Sequence, residues 1–194
     1  MPVYRILSVI VICAVLLPKP ALGQVGPMVS ASFSVDPDTR WSVAGSAAYR
    51  FNRMFSLGTE LTWSSLKFSR PTVVDGPVTI TYTNVHRELI SFTTNVRLDL
   101  AEFHRVTPYI VTGGGIATDT TGFTATYTVP PPSNAQRETG SVLDSPVYLG
   151  LTGGGGVSLR VGERVTIDGD VRGLYMRGHN GQWGRIGVGA TYRF

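Results

Sequence analysis

The sequence predicts an all-β chain, an antiparallel up-and-down transmembrane β-barrel of about eight strands. Three observations predict it. Apolar residues recur with a period of two along nearly the whole chain after residue 23. Charged residues make up only 15% of the 194 positions, where soluble domains carry about 25%. The first residues read as an export leader. The length suits one domain, and a single Cys rules out a disulfide scaffold. The composition is too apolar and too charge-poor for a disordered chain. No run reaches the ~18 apolar residues that a spanning helix needs.

The leader comes first. Arg5 precedes an apolar run from Ile6 to Leu17, followed by Pro18, Pro20 and the small residues Ala21 and Gly23. A positive start, a short apolar centre and small residues before a cut define a secretory signal, so residues 1–23 are expected to be removed, leaving a barrel domain over 24–194. Cys13 sits inside the apolar run, without the small residues that precede a lipoprotein cut. Losing Arg5 and Lys19 lowers the formal charge from +4 to +2 (15 basic against 13 acidic residues) and leaves no cysteine. An exported chain without disulfides must hold itself together by backbone pairing and packing. The remaining arginines are scattered among carboxylates with no basic stripe, which argues against nucleic acid as a partner.

The strands follow in order. Val29, Ala31, Phe33 and Val35 alternate with Ser30, Ser32 and Ser34. Trp41, Val43, Ala47, Tyr49 and Phe51 oppose Ser42, Ala44, Ser46 and Arg50. Phe55, Leu57, Leu61 and Trp63 oppose Ser56, Glu60, Thr62 and Ser64. Ile90, Phe92, Val96 and Leu98 oppose Ser91, Thr93, Asn95, Arg97 and Asp99. A further strand runs from about Thr107 to Ala117, through Tyr109 and Val111. Val147, Leu149, Leu151, Val157 and Leu159 oppose Tyr148, Thr152, Ser158 and Arg160. Val165, Ile167 and Val171 oppose Thr166, Asp168, Asp170 and Arg172, and Ile186, Val188, Ala190, Tyr192 and Phe194 oppose Arg185 and Arg193. Each segment is near the ~10 residues of a tilted membrane strand.

The connections alternate too. Those at 52–53, 102–106 and 162–164 are short turns, 69–84 and 118–145 are long loops, and 36–40 and 178–183 lie between. Short turns on one rim and long loops on the other are the outer-membrane arrangement, with the short turns in the periplasm. Thr-rich stretches at 78–83 and 123–128 would extend strands above the membrane, and Pro130–Pro132 would mark the tip of the longest loop. A soluble sandwich or lipocalin-like barrel has the same period, with its apolar face inward. Two features choose against it. The polar faces carry Ser, Thr and Gly rather than Lys and Glu, with Lys67 the one lysine after residue 23. Aromatics (Trp41, Tyr49, Phe51, Phe55, Trp63, Tyr109, Tyr175, Tyr192 and Phe194) also sit near strand ends, as membrane-interface girdles require.

Four segments then carry a resemblance. These are Phe92–Leu100, Thr107–Gly115, Gly153–Arg160 and Val188–Phe194. Together they resemble the small outer-membrane β-barrel domain family, related in architecture to the OmpA-type and OmpX-type barrels, over essentially all of residues 24–194. The resemblance implies an eight-stranded barrel in the bacterial outer membrane and defines architecture, not an activity. It also implies that Tyr192 and Phe194 form the C-terminal signal presented to the barrel-assembly machinery. The separate peptidoglycan-binding domain of full OmpA-type proteins is expected to be missing.

The remaining chemistry is sparse. The glycine-rich stretches at 113–115 and 150–156 lack the following Lys-Ser/Thr of a phosphate loop, so they read as room for large neighbours in a narrow barrel. With the apolar face outside, Arg50, Glu60, Arg97, Asp99, Asp168, Asp170 and Arg172 form an interior charge cluster, with Arg160, Arg185 and Arg193 inward or toward the rims. Acids and arginines there must pair. Eight strands leave an interior that side chains fill, so a plug is expected rather than a channel, with a small pore as an alternative. A second alternative is lipid A modification, an activity of some eight-stranded barrels that use rim His and Ser residues. Here His179 is followed by Asn180-Gly-Gln-Trp183 with no serine, and His86 has Glu88 nearby but no nucleophile. His104 falls in a turn. No histidine shows metal-ligand spacing, and no catalytic residue, metal or cofactor is expected. The expected role is structural or surface interaction through the loops of a monomer, with outer-membrane lipid and lipopolysaccharide as surroundings.

Overall fold

A strand whose two faces meet different solvents keeps every second residue alike, and these strands pair accordingly. The computed structural model describes residues 25–35, 39–76, 78–100, 103–128, 138–178 and 182–194. The leader at 1–23, the Pro130–Pro132 tip and His179 lie outside them. The strands are β1 (Gly26–Val35), β2 (Thr39–Arg50), β3 (Phe55–Leu66), β4 (Val73–Asp75), β5 (Val78–Asp99), β6 (Val106–Thr128), β7 (Glu138–Asp144), β8 (Val147–Arg160), β9 (Val165–Met176) and β10 (Gln182–Arg193).

All pairings are antiparallel. The sheet runs β5-β3-β2-β1-β10-β9-β8-β6, and β5 also pairs with β6, so eight strands close into a barrel. Closure joins the first strand to the last, from Met28 opposite Arg193 to Val35 opposite Ile186. It leaves the spanning part without an edge, the condition for crossing lipid with strands. β4 pairs with the start of β5 and β7 with the end of β6, outside the eight-strand ring.

The faces are inverted relative to a soluble barrel. Ser42, Thr93, Asp99, Ser158, Asp168 and Thr191 are buried, whereas Phe33, Phe92, Leu149, Leu151, Val171 and Ile186 are exposed, Leu149 to 65%. The polar face of each strand therefore lines the interior, and the apolar face forms the outer band.

Three short turns define one rim. In 51–54 the Asn52 side-chain oxygen accepts the Met54 and Phe55 amides, each at 2.8 Å. Phe103 and Val106 exchange both backbone hydrogen bonds around His104-Arg105, with His104 at φ 59°. In 161–164 the Val161 amide donates to Val165 O at 3.1 Å. The chain end joins this rim, where the Phe194 amide donates to Pro27 O.

On the opposite rim the strand extensions expected at 78–83 and 123–128 are present, and pairing takes in further parts of the loops expected at 69–84 and 118–145. β5 and β6 stay paired from Asp99–Tyr109 up to Thr79–Thr128, interrupted between Thr83 and His86 where Asn84 takes a φ of 52°. Much of 69–84 and 118–145 is therefore sheet. Its Thr-rich stretches are β-formers whose amides and carbonyls are satisfied across the ladder.

Candidate functional site

Two regions gather side chains that can do more than pack: the barrel interior and the loop-rim extension. In the interior, each buried arginine is placed by the inward parity of its strand, and its partner comes from another strand. Arg50 of β2 bridges Asp99 of β5 at 2.6 Å, and Arg97 donates to the other Asp99 oxygen at 2.8 Å. Arg97 also reaches Asp168 of β9 at 3.2 Å and Ser158 of β8 at 2.5 Å. Ser158 and Thr191 both donate to Asp168.

Higher up, Arg172 holds Asp170 and Glu60, each at 2.7 Å, and Arg185 reaches Glu60 at 2.5 Å and Thr62 at 3.0 Å. The two halves meet at Tyr109. Its ring lies 3.7 Å from the Arg97 guanidinium carbon, and its hydroxyl donates to Asp170 at 3.4 Å. Tyr109 is only 2% exposed, so it belongs to the interior and not to the aromatic girdle expected from its place near a strand end. The parity of β6 decides this, because Tyr109 shares its face with Val111, which is also buried.

The seven residues of the expected charge cluster thus lie in one network, with Arg185 added. Four arginines (50, 97, 172 and 185) face four carboxylates (60, 99, 168 and 170). Arg160 is exposed at the turn rim, and Arg193 is half-buried there with its Nε lacking an acceptor. Glycine makes the room. A Cβ on Gly156 would meet Gly169 O and stand 2.8 Å from the Tyr109 hydroxyl, and one on Gly154 would meet Val171 O beside Arg172.

Among the described residues, small cavities of about 40 and 60 Å³ lie inside, and Glu60 and Arg172 line both. Each has room for one to a few waters. The ion pair forms the wall between them, which describes a plug rather than a lumen.

Sequence reasoning missed a cap over this network. Leu66, Leu89, Ala117 and Met176 are buried together, with Tyr148, Leu174 and Trp183 packed against them. Each continues the inward parity of its strand toward the loop rim, and that parity was the available signal.

Above the cap, Arg87 chelates Asp119 through Nε and Nη2. Arg70 lies over Phe123 at 4.0 Å and Tyr82 at 5.5 Å, and Phe68 sits between Arg70 and Arg87 at 5.7 and 5.9 Å. Glu88 accepts the Trp63 indole N–H at 3.2 Å rather than serving His86, whose Nδ1 contacts Asn84 O at 2.9 Å. Among the described residues no group of three or more His, Cys, Asp or Glu side chains is arranged to hold a metal.

The outer girdle is built from neighbouring rings. Trp41 and Trp63 meet at 4.8 Å toward the loop rim, and Tyr49–Phe51, Phe51–Phe55 and Tyr192–Phe194 at 5.1, 5.5 and 5.0 Å at the turn rim.

The same arrangement of eight antiparallel strands is found in solved structures. Neisserial surface protein A matches with a TM-score of 0.58 and 17% identity, over 91% of this chain and 100% of that one. A major outer membrane protein from Thermus thermophilus matches with a TM-score of 0.57 and 11% identity, over 87% of this chain and 99% of that one. The fold is that of an eight-stranded outer-membrane β-barrel. No family model and no curated protein matches the sequence. Such barrels place the polar faces inside and the apolar band against lipid, as the burial pattern here does.

Proposed function

We propose that this chain is a non-catalytic outer-membrane protein that acts through the surface its strands raise on the loop rim. The observation that carries the reading is strand length. β5 and β6 have 22 and 23 residues, about twice what a membrane strand needs. The excess, flanked by β4 and β7, stands clear of the apolar band and displays Phe68, Arg70, Tyr82 and Phe123. Aromatic rings beside a guanidinium are the residue types that dominate binding surfaces. In this reading residues 1–23 export the chain, Tyr192 and Phe194 present it to the assembly machinery, and the barrel works as a monomer amid lipid and lipopolysaccharide.

The β6–β7 half of the extension, with Phe123, can be removed at a register pair. Thr121 and Asp144 are register partners, so replacing residues 122–143 by Asn-Gly closes the strand pair with a favoured two-residue turn. Cells carrying the intact and the shortened barrel, both shown to be folded by heat-modifiable migration, should differ in adhesion to a panel of immobilised glycans and proteins. Equal adhesion across the panel would refute the proposal. His86→Ala leaves the lipid A profile unchanged on this reading, and a changed profile would restore the enzymatic alternative.

A further inference from the structure

The turn rim concentrates arginine. Arg53, Arg105 and Arg164 lie in its three turns, Arg50 and Arg160 at the strand ends beside them, and Arg193 next to the chain end. Strand order sets them side by side, because the Arg160 amide donates to Arg105 O and the Arg193 amide to Arg164 O, each at 2.8 Å. Among the described residues the acids at this rim are Asp99 and Glu163, and Asp99 is already held by Arg50 and Arg97. Glu102 lies outside the described residues.

Arg105 and Arg164 form no ion pair among the described residues, and Glu163, next to Arg164 in the turn, acts on it only through its field. Arg105 is exposed, with no side-chain acceptor there. Arg164 is exposed and donates to the Tyr192 hydroxyl at 3.4 Å. That hydrogen bond holds the Arg164 guanidinium above its ordinary value, so it stays cationic. Tyr192 is on the outward face, so Arg164 lies along the outer wall, beside the Tyr192–Phe194 ring pair. This direction favours lipid over a soluble partner below the barrel. Aromatic belts sit at headgroup level, where a planar guanidinium takes a phosphate in bidentate fashion.

We propose that the turn rim is a binding surface for the anionic phospholipid headgroups of the leaflet it faces, with Arg105 and Arg164 as its phosphate-binding residues. The apolar band next to the Tyr192–Phe194 pair takes the acyl chains. Each guanidinium near an anionic lipid surface is worth roughly fivefold in binding.

The test is lipid retention by the full chain, folded in mixed micelles with equal phosphatidylglycerol and phosphatidylcholine and read by native mass spectrometry. Phosphatidylglycerol should be retained preferentially, and Arg105→Gln/Arg164→Gln should lower that preference at least about tenfold. Arg177→Gln, at the opposite rim, should leave it unchanged. Heat-modifiable migration establishes folding, and if the double variant does not fold, Arg105→Gln alone should lose roughly fivefold. Equal retention of the two lipids, or the same preference in the arginine variants, overturns the proposal. So does retention of acidic muropeptides in place of phosphatidylglycerol when both are offered.

Discussion

Glu60 sits between two arginines in the barrel, and neutralising it measures how dry that interior is. Its oxygens take Arg172 at 2.7 Å and Arg185 at 2.5 Å, and all three side chains are 11–15% exposed. In Glu60→Gln the volume is kept and one negative charge is lost from a network of four arginines and four carboxylates. Arg172 retains Asp170, but Arg185 is left without a carboxylate, with Thr62 and at best the Gln carbonyl as acceptors. Removing one member of a buried pair costs about 3–5 kcal/mol. The lower end applies, because the two cavities beside Glu60 can hydrate the orphaned guanidinium. The expected loss is therefore about 3 kcal/mol, roughly a hundredfold in the folded-to-unfolded ratio. Adding Arg185→Met, which removes the orphan, should recover at least about half of it. Guanidinium titration in lipid vesicles, followed by tryptophan fluorescence and heat-modifiable migration, gives both values. A loss under about 0.5 kcal/mol, or no coupling between the two sites, would refute the plug and indicate a hydrated lumen in which charges are screened.

Other perturbations probe separate parts. Gly156→Leu forces atoms against Gly169 O and the Tyr109 hydroxyl and should cost about 1–3 kcal/mol, whereas Gly153→Ala, which meets nothing within 4 Å, should be near neutral in the same titration. Val171→Arg, halfway along β9 on the exposed face, should lose about 2–4 kcal/mol in vesicles; unaltered stability would contradict the lipid-facing assignment. His104→Gly relieves a left-handed residue at φ 59° and should stabilise the barrel by about 1 kcal/mol, with no gain counting against strain in that turn. Phe194→Ser removes the ring 5.0 Å from Tyr192 and should lower the folded barrel in outer-membrane fractions of cells; undiminished levels would remove the assembly-signal reading.

Period two and the charge-poor composition were enough to draw the spanning strands, because alternation is local and each strand shows it without reference to any other. Alternation alone is unchanged if the faces are exchanged, so the side that meets lipid came from residue type, the Ser, Thr and Gly of the polar face. Pairing was beyond the sequence. Arg172 and Arg185 find Glu60 at separations of 112 and 125 residues, set by closure of β1 on β10 and by the stagger between strands. Strand parity put Tyr109 inside and not in the expected girdle, and closure stacked Leu66, Leu89 and Met176 into a cap. Closure also carried the β5–β6 ladder through 79–83 and 124–128, the Thr-rich extension that composition had suggested, since backbone groups continue to pair wherever two neighbouring chains are both β-formers. The sequence by itself determined which residues alternate; the closed sheet decided which of them meet, because contact depends on register around the barrel and not on position along the chain.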